Sequence, residues 1–506
     1  MAILTKTWTF DLLLLTILLI YLLFKYSTRN FTYWKSRGIP YIPPIPIFGN
    51  TWQLFTFRKS IGIFFQELYN SVQAPFFGIF IFDKPALVVK DPDLIKSILV
   101  KDFSHFDSRT ILDGKGIDPV VPHFIFFSKN PEWKHSRAKL TPIFTTGKLR
   151  AMAPLVHDVG ERLLRCIGGY AESGASVDAK EVCSKFATDV TASCFFGINA
   201  KSFENEDAKF RIAAKKVFDF SWRNGINQSS YFFAHQLAKV FRMKAFDPEV
   251  VQFFFNVFNE TIKRREKDGN SRNDLIDHII KMKSAEDYYI KEFDMGGDNI
   301  VIHSIQFFVA GFETTSSTIA FTLHELALNE EIQDKLRREI LQSTQKYNKI
   351  DYDALKEMKY LDQCVNETLR KYPVLPFLDR TCNTPYTIPG TNVVIEKGMS
   401  VYIPMFGTHY DPEFFPDPDK YDPDRFAGNY QETIKPYTYF PFGVGPRNCI
   451  GERLGLLNTK LAVPQIISNY RVIKSEKTVS PLIFEPKSFV LAAVGGVPLR
   501  FQKLIK

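Results

Sequence analysis

One cysteine stands in a sequence setting that favours its thiolate form. Cys449 follows a run rich in glycine and proline, which forces a tight irregular backbone, and it precedes a stretch that begins a helix. The positive end of a helix and nearby amide groups stabilise a thiolate, the form of cysteine that ligates metals. Gly451 leaves room for a large planar group, against which Phe442 can pack. Arg447 can pair with an anion beside the cysteine.

This loop resembles the haem-binding loop of the cytochrome P450 superfamily. The pattern F-x-x-G-x-R-x-C-x-G is met in full by Phe442, Gly445, Arg447, Cys449 and Gly451. The resemblance implies a single large, mainly α domain with small β-sheets around a buried haem b, iron protoporphyrin IX, whose iron takes the Cys449 thiolate as axial ligand. A thiolate ligand pushes electron density onto the iron and favours O–O cleavage.

A second polar segment, Ala310-Gly311-Phe312-Glu313-Thr314-Thr315, lies within a long helical stretch from about 298 to 328. A threonine hydroxyl can bond back to the carbonyl four residues earlier and open the turn, which over a haem would form a polar notch for dioxygen and water. The segment is similar to the family signature A-G-x-[DE]-T-[TS], and the resemblance implies that Glu313 and Thr314 deliver protons to oxygen. Because this pair is intact, monooxygenation is favoured over rearrangement of a peroxide.

Other motifs of the family follow in the expected order. Trp133 and Arg137 form W-x-x-x-R, a spacing that puts an indole N–H and a guanidinium on one helix face. The resemblance implies that they bind haem propionates together with Arg380 and Arg447. It also implies a structural ion network behind the haem, formed by Glu367 and Arg370 of an E-x-x-R helix and by Arg425 of a P-D-R-F element.

The N-terminus predicts a membrane anchor. Leu12 to Phe24 is apolar apart from Thr16, and lysines and arginines follow it. By the positive-inside rule, the body of the protein faces the cytosol. We expect an anchor with its basic flank at 1–37, a stiff proline-rich hinge at 38–50 and a catalytic domain at 51–506, held by one N-terminal span at the endoplasmic reticulum membrane.

Composition and charge bear on the partners. The chain has 506 residues and a formal net charge of +9 without a nucleic-acid-binding motif, so nucleic acid is not an expected partner. No flavin, nicotinamide or iron–sulfur signature is visible, which implies NADPH-cytochrome P450 reductase as electron donor and cytochrome b5 as a second one. Basic residues near the cysteine side can dock an acidic partner; these are Lys134, Lys139, Lys148, Lys435 and Arg453.

Local patterns predict several further elements. Helical periodicity dominates from Asp91 to about Tyr372, with one helix capped by Asn130 and begun by Pro131. The predicted strands are Phe76 to Phe82, Ala86 to Val89, Val393 to Ile395 and Phe489 to Val494. The six cysteines suit neither a zinc site nor a disulfide framework, so reduced thiols are expected.

The substrate is expected to be a small apolar organic molecule. By resemblance, pocket residues come from four segments, and the candidate liners are Phe124, Phe127, Phe308, Phe312, Phe377 and Phe489. The runs Lys139–Thr145 and Pro486–Gly496 look similar to insect microsomal members linked to plant toxins and insecticides. This favours xenobiotic detoxification. Hydroxylation of an endogenous lipid or hormone, or a haem-binding sensor or sink without turnover, are the alternatives.

Overall fold

Helices make up most of the chain, in agreement with its periodicity and with the fold that the resemblance implies. The computed structural model describes residues 7–272, 274–277, 280 and 298–504. The α-helices of this part of the chain are α1 (Trp8–Thr28), α2 (Tyr33–Ser36), α3 (Trp52–Phe55), α4 (Ile61–Ser71), α5 (Pro92–Lys96), α6 (Glu132–Leu140), α7 (Thr146–Ser173), α8 (Ala179–Phe196), α9 (Lys209–Val217), α10 (Trp222–Phe232), α11 (His235–Val240), α12 (Pro248–Asp268), α13 (Asp298–Leu328), α14 (Glu330–Tyr347), α15 (Lys359–Lys371), α16 (Met405–His409), α17 (Tyr430–Thr433) and α18 (Glu452–Asn469). The strands are β1 (Phe76–Ile81), β2 (Lys84–Val89), β3 (Val177–Asp178), β4 (Leu378–Thr381), β5 (Tyr386–Thr387), β6 (Val394–Ile395), β7 (Ser400–Ile403), β8 (Tyr470–Lys474) and β9 (Pro498–Lys503).

The long helix α13 runs through the centre of the domain. It packs against α8, α12, α15 and α18. Consecutive residues such as Ser316, Ser317, Ile319 and Ala320 are all buried, so no face of this part of the helix is left to solvent. A helix covered on all sides belongs to the core, and α13 therefore provides a rigid support for the polar segment near its middle.

Three small sheets surround the helices. The largest has the strand order β1-β2-β7-β4, in which β2 and β7 are parallel and the other neighbours are antiparallel. The others are β3-β9-β8 and β5-β6, both antiparallel. The predicted strands at the positions of β1, β2 and β6 are confirmed, with ends shifted by one or two residues.

The predicted strand Phe489 to Val494 is wrong. This segment turns and bends, and Ala493 makes only an isolated bridge with Phe484. The Leu491 N–H donates to the carbonyl of Val374 at 2.8 Å, so the backbone bonds to the loop after α15. The six consecutive apolar residues here reflect burial, which is nearly complete at Val490, Leu491 and Ala492.

The predicted Asn130 cap is also wrong. Helix α6 begins at Glu132, and Pro131 occupies the capping position without a side-chain bond. The Asn130 amide instead donates to a carboxylate oxygen of Asp107 at 2.5 Å. The Asn130 side chain thereby connects the loop before α6 to the loop that carries Asp107.

The N-terminal helix α1 differs from the core helices in its surroundings. Among the described helices, α1 alone is long and apolar enough to cross a membrane, with a mean hydropathy of 1.9 and 6% of its apolar window buried. It extends beyond the predicted end at Phe24 to Thr28. An apolar surface of this kind outside the domain is suited to lipid.

The segment after α1 packs against β1, the edge strand of the largest sheet. Trp34 is 1% exposed, and its indole N–H donates to the carbonyl of Ile79 at 3.0 Å. A Cβ atom on Gly78 would lie 2.3 Å from the Trp34 ring, so only glycine permits this contact. Only the first part of the proline-rich segment is extended: its Ile42 N–H and Pro40 carbonyl both bond to Gly78, whereas residues 46–48 turn back and Ile45 pairs with Gly49.

Candidate haem-thiolate site

The cysteine loop is held in its shape by glycines and by the start of α18. Gly445 has a φ of +76°, and a Cβ atom there would lie 2.0 Å from the carbonyl oxygen of Leu99. The Cys449 N–H donates to the carbonyl of Phe442 at 2.8 Å, which closes the loop. Gly451 caps α18. The loop thereby places Cys449 on the wall of a large internal cavity.

The protein surroundings act on the Cys449 thiol in opposite directions. The Cys449 side chain is exposed to the cavity. Desolvation by the surrounding protein is nevertheless the largest influence and raises the pKa of the thiol, while the Gly451 amide and the charges of Arg137 and Arg109 lower it. The amide at the start of α18 lowers the pKa of the Cys449 thiol, as expected. The net shift of this pKa is nevertheless upward, which is opposite to the shift predicted from sequence. The thiolate therefore needs a bound cation such as iron for its full stabilisation.

Arg380 and Arg447 bring uncompensated positive charge to the same cavity. Arg380 is 1% exposed, and its Nε atom has no hydrogen-bond partner in the described chain. Burial and neighbouring arginines lower the pKa of Arg380 to about 9 and that of Arg447 to about 8. Buried guanidinium groups in this state require an anion, and the propionate carboxylates of haem b fit that requirement.

Each of these arginines is positioned by a neighbouring backbone. Arg447 donates through Nε to the carbonyl of Asp107 at 2.5 Å and through Nη2 to that of Ser128 at 2.9 Å. Its guanidinium lies 4.2 Å from the centre of the Trp133 ring. Arg380 donates through Nη1 to the carbonyl of Asp379 at 2.7 Å. The geometry thus joins the cysteine loop, the loop before α6 and strand β4.

Arg137 contacts the cysteine loop directly. Its two terminal nitrogens donate to the main-chain and side-chain oxygens of Asn448, both at 2.7 Å. Arg137 also lines the cavity. It therefore fixes the residue directly before Cys449 and places a positive charge close to the sulfur.

Sequence reasoning missed Arg109. This residue lines the cavity, is buried, and forms an ion pair with Asp379 at 3.3 Å. The Asp379 carboxylate also accepts from the N–H of Thr110 at 2.5 Å. No family motif covers Arg109. Its neighbours Asp107, Ser108 and Thr110 are polar as well, so no local sequence pattern singles Arg109 out.

A porphyrin also suits the ligand chemistry of the cavity. Among the described residues, no three His, Cys, Asp or Glu side chains come together to hold a bare metal ion. A single cysteine can retain iron only when a macrocycle supplies the other ligands. Cys449, the buried arginines and the aromatic lining together fit haem b.

The polar segment of α13 places Thr314 in the cavity lining and Glu313 outside it. The Thr314 hydroxyl donates to the carbonyl of Ala310 at 2.6 Å, which is the back-bond predicted from sequence, and Thr314 lines the cavity. Glu313 is buried outside the cavity lining, where its carboxylate lies 3.0 Å from the Lys180 amine of α8. Sequence reasoning missed Lys180, which also donates to Ser316 at 2.8 Å.

The E-x-x-R residues form the ion network that the resemblance implies. Glu367 and Arg370 are fully buried and share a two-point contact, with N–O distances of 2.7 and 2.9 Å. Arg425 approaches the same carboxylate at 3.5 Å. Arg370 also donates to the carbonyl of His409 at 2.9 Å, so the network fastens α15 to α16.

The cavity has a volume of about 320 Å³ and a mainly aromatic and aliphatic wall. Of the six predicted phenylalanines, Phe124, Phe127 and Phe489 line it. Phe308, Phe312 and Phe377 do not. Phe308 and Phe312 stack on each other at 5.7 Å within the core, and Phe377 stacks on Phe65 at 4.7 Å. Phe442, predicted from the cysteine-loop motif, also lines the cavity, and the lining phenylalanines that were missed are Phe126, Phe218, Phe232, Phe246 and Phe307.

Comparison with known proteins agrees with this geometry. The family model for cytochrome P450 matches residues 39–498. Cytochrome P450 6j1 of Blattella germanica is 38% identical over 95% of each chain, and cytochrome P450 6k1 of the same insect is 37% identical over 97% of each. A probable cytochrome P450 6w1 of Drosophila melanogaster is 36% identical over 95% of each. With this extent of similarity and this arrangement around Cys449, the chain belongs to the cytochrome P450 family of haem-dependent monooxygenases.

Proposed function

We propose that this chain is a microsomal monooxygenase that oxidises small apolar organic compounds, plant toxins or insecticides among them. The observation that carries the proposal is one cavity that holds Cys449, Thr314 and an aromatic wall together. Haem b bound there supplies the iron at which one atom of dioxygen is transferred to a substrate. The choice of xenobiotics over an endogenous lipid or hormone rests on the resemblance of the runs Lys139–Thr145 and Pro486–Gly496 to insect microsomal members linked to plant toxins and insecticides.

In this proposal, different residues of the cavity bind the haem iron, bind the propionates and orient the substrate. Cys449 ligates the iron, and Phe442 and Gly451 border the macrocycle. Trp133, Arg137, Arg380 and Arg447 would hold the propionates, and Arg137 also fixes Asn448 beside the sulfur. The aromatic wall excludes water and orients apolar substrates.

Proton supply is assigned to Thr314 and Glu313. The Thr314 hydroxyl, with its hydrogen on the Ala310 carbonyl, keeps its lone pairs free to hold a water in the cavity. Glu313 is the adjacent carboxylate, and Lys180 holds it at 3.0 Å. If the Glu313 carboxylate turned from Lys180 towards Thr314, it would pass protons to the water that Thr314 holds. The cavity would stay closed to bulk water during this transfer.

Electrons are proposed to come from NADPH-cytochrome P450 reductase, with cytochrome b5 as a second donor. Lys134, Lys435 and Arg453 are exposed, and Lys139 and Lys148 are half-exposed. Within the described chain, none of these five forms an ion pair with a carboxylate, which leaves them available to an acidic partner. Charge reversal at each position should slow reductase-supported turnover. Unchanged turnover at all five positions would contradict this docking site.

The membrane proposal places α1 across the endoplasmic reticulum membrane and the domain in the cytosol. The apolar surface of α1 and the basic residues that follow it support this orientation. Deletion of residues 1–28 should release the protein from membranes, with α1 alone sufficient to anchor an unrelated soluble protein.

The absorbance spectrum of the reduced, carbon-monoxide-bound protein tests the central proposal. We expect a strongly red-shifted Soret band in the wild-type protein and its loss in Cys449→Ala. An ordinary haem-protein band in well-folded wild-type protein would overturn thiolate ligation. NADPH-dependent product formation from apolar substrates then distinguishes a monooxygenase from a haem-binding sensor or sink.

A further inference from the structure

One amide on α13 faces the cavity with both of its ends already engaged. Gln306 lines the cavity and is 5% exposed. Its Oε1 atom accepts from the N–H of Ile125 at 2.8 Å. Its Nε2 atom lies 2.7 Å from Nδ1 of the buried His303, one turn earlier on the helix.

These two contacts fix the orientation of the Gln306 amide. A backbone N–H can only donate, so the amide oxygen must face Ile125. The amide nitrogen then faces His303, whose Nδ1 must accept. Burial lowers the pKa of His303 to about 3, so the ring is neutral and can accept. Rotation of the amide by half a turn would set its N–H groups against the Ile125 N–H and break that bond.

The second N–H of the amide is the unused group. Nitrogen Nε2 carries two hydrogens, and in the described chain His303 is the acceptor that it meets. The cavity wall around Gln306 is otherwise largely aromatic, with Phe124, Phe246 and Phe307 among its members. A buried donor in such a wall favours a ligand that brings an acceptor.

The same side chain positions part of the wall. Ile125 donates its N–H to Gln306, and its carbonyl accepts from Nη1 of Arg447 at 3.5 Å. Its neighbours Phe124 and Phe127 both line the cavity. Gln306 thus connects the central helix to the loop that carries these aromatic rings.

We propose that Gln306 determines substrate specificity by donating a hydrogen bond to an acceptor oxygen on an otherwise apolar, aromatic substrate. Aryl ketones, esters and ethers are the chemical class that fits. The proposal rests on the proposed function, since it assigns the substrate class of the same cavity. Gln306 also acts as a positioning residue for the loop through Ile125.

Two ligands of equal shape test this assignment on the haem-loaded full chain. 2-Acetylnaphthalene offers a carbonyl where 2-isopropenylnaphthalene has a methylene group. Calorimetric titration should show wild-type protein preferring the ketone by about tenfold, the effect of one hydrogen bond worth about 1.4 kcal/mol. This preference should disappear in Gln306→Leu and in Gln306→Glu.

The two variants separate the donor from the loop contact. Gln306→Glu keeps an oxygen for Ile125 but loses the amide hydrogens, so hydrogen exchange at the Ile125 amide should stay slow. Gln306→Leu should speed that exchange. A preference lost only in Gln306→Leu would assign selectivity to the loop and overturn the proposed donor.

Other outcomes also decide the question. A ketone preference retained in both variants, or wild-type protein that binds neither ligand, would overturn the assignment. The reduced carbon-monoxide spectrum of the same samples reports the haem site independently. A normal spectrum with an unchanged preference would therefore contradict this inference and leave the proposed function intact.

Discussion

At the scale of single residues, Arg380 differs in its partners from buried arginines that form ion pairs, such as Arg109 with Asp379. Arg265 meets the carboxylates of Asp274 and Asp277. Arg380 has only a carbonyl for one of its nitrogens and nothing for Nε in the described chain. The charge of Arg380 is therefore available to a bound anion, whereas that of Arg265 is used within the fold.

This difference predicts the behaviour of Arg380→Met. Loss of one charge-assisted hydrogen bond, worth about 1.5–3 kcal/mol, should speed haem release roughly 10- to 100-fold. Transfer of haem to a scavenger protein measures the rate. Arg265→Met is the matched control, and it should lower stability by about 3–5 kcal/mol without a specific effect on haem release. Equal release rates in wild type and Arg380→Met would contradict a propionate contact.

Thr314→Val should uncouple oxygen consumption from product formation. The variant keeps the shape of the side chain but removes the hydroxyl that lines the cavity. We expect product per NADPH to fall on the order of tenfold or more, with peroxide released instead. Thr322→Val removes a similar back-bonded hydroxyl that donates to the Thr318 carbonyl on the same helix, away from the cavity lining, and should leave coupling unchanged. Equal coupling in all three proteins would count against a proton-delivery role.

The sequence predicted the residues that belong to long motifs, and the structure brings most of them to one cavity. Cys449, Thr314 and Arg380 are examples. Arg109 and Lys180 were missed because each acts through a partner that is distant in sequence, Asp379 and Glu313 respectively. Phe308 and Phe312 were misplaced because a core phenylalanine and a pocket phenylalanine have the same sequence signature.

At the scale of elements, the cysteine loop depends on close approach between two backbones. Gly445→Ala should destabilise the protein by about 2–4 kcal/mol, since the left-handed φ and the contact with the Leu99 carbonyl both exclude a Cβ atom. Thermal unfolding and haem content measure the effect. Gly169→Ala in α7, where nothing lies within 4 Å of the added carbon, should stabilise by up to about 1 kcal/mol. Normal haem content in Gly445→Ala would show that the loop can relax.

Local composition predicted the type of some strand segments but not of all. The strands of the largest sheet have β-branched and aromatic residues and were found at β1 and β2. The segment 489–494 has the same composition, yet its backbone bonds to Val374 of another loop. The segment also exchanges two backbone hydrogen bonds with residues 483 and 485, but this pairing is limited to the isolated bridge between Phe484 and Ala493 and does not make a strand. Tertiary contacts, rather than local strand propensity, therefore determine the conformation of this segment.

At the scale of the whole molecule, buried neutral histidines set the response to acid. Burial lowers the pKa of His235 to about 4 and that of His303 and His409 to about 3. Each is depressed below its value of about 6.5 in the unfolded chain. Between pH 6.5 and 4 the unfolded chain binds more protons, so stability is present above this range and lost as pH falls.

We expect the free energy of unfolding to fall by up to about 4 kcal/mol per pH unit from these three groups. Denaturant titrations between pH 7 and pH 4 measure the slope. In His409→Gln, an amide can replace the ring that accepts from the Phe440 N–H and bonds to the Arg370 carbonyl. This variant should flatten the profile by about 1.4 kcal/mol per pH unit. A slope equal to that of wild type would contradict a neutral, buried His409.

The contacts of the cysteine loop also set the order in which the molecule is assembled. Arg447 bonds to residues 340 and 319 positions earlier, and Arg137 bonds to one 311 positions later. Synthesis proceeds from the N-terminus, so α1 leaves the ribosome long before the cysteine loop exists. Haem is therefore incorporated into a nearly finished chain, and its supply governs how much of that chain accumulates in folded form.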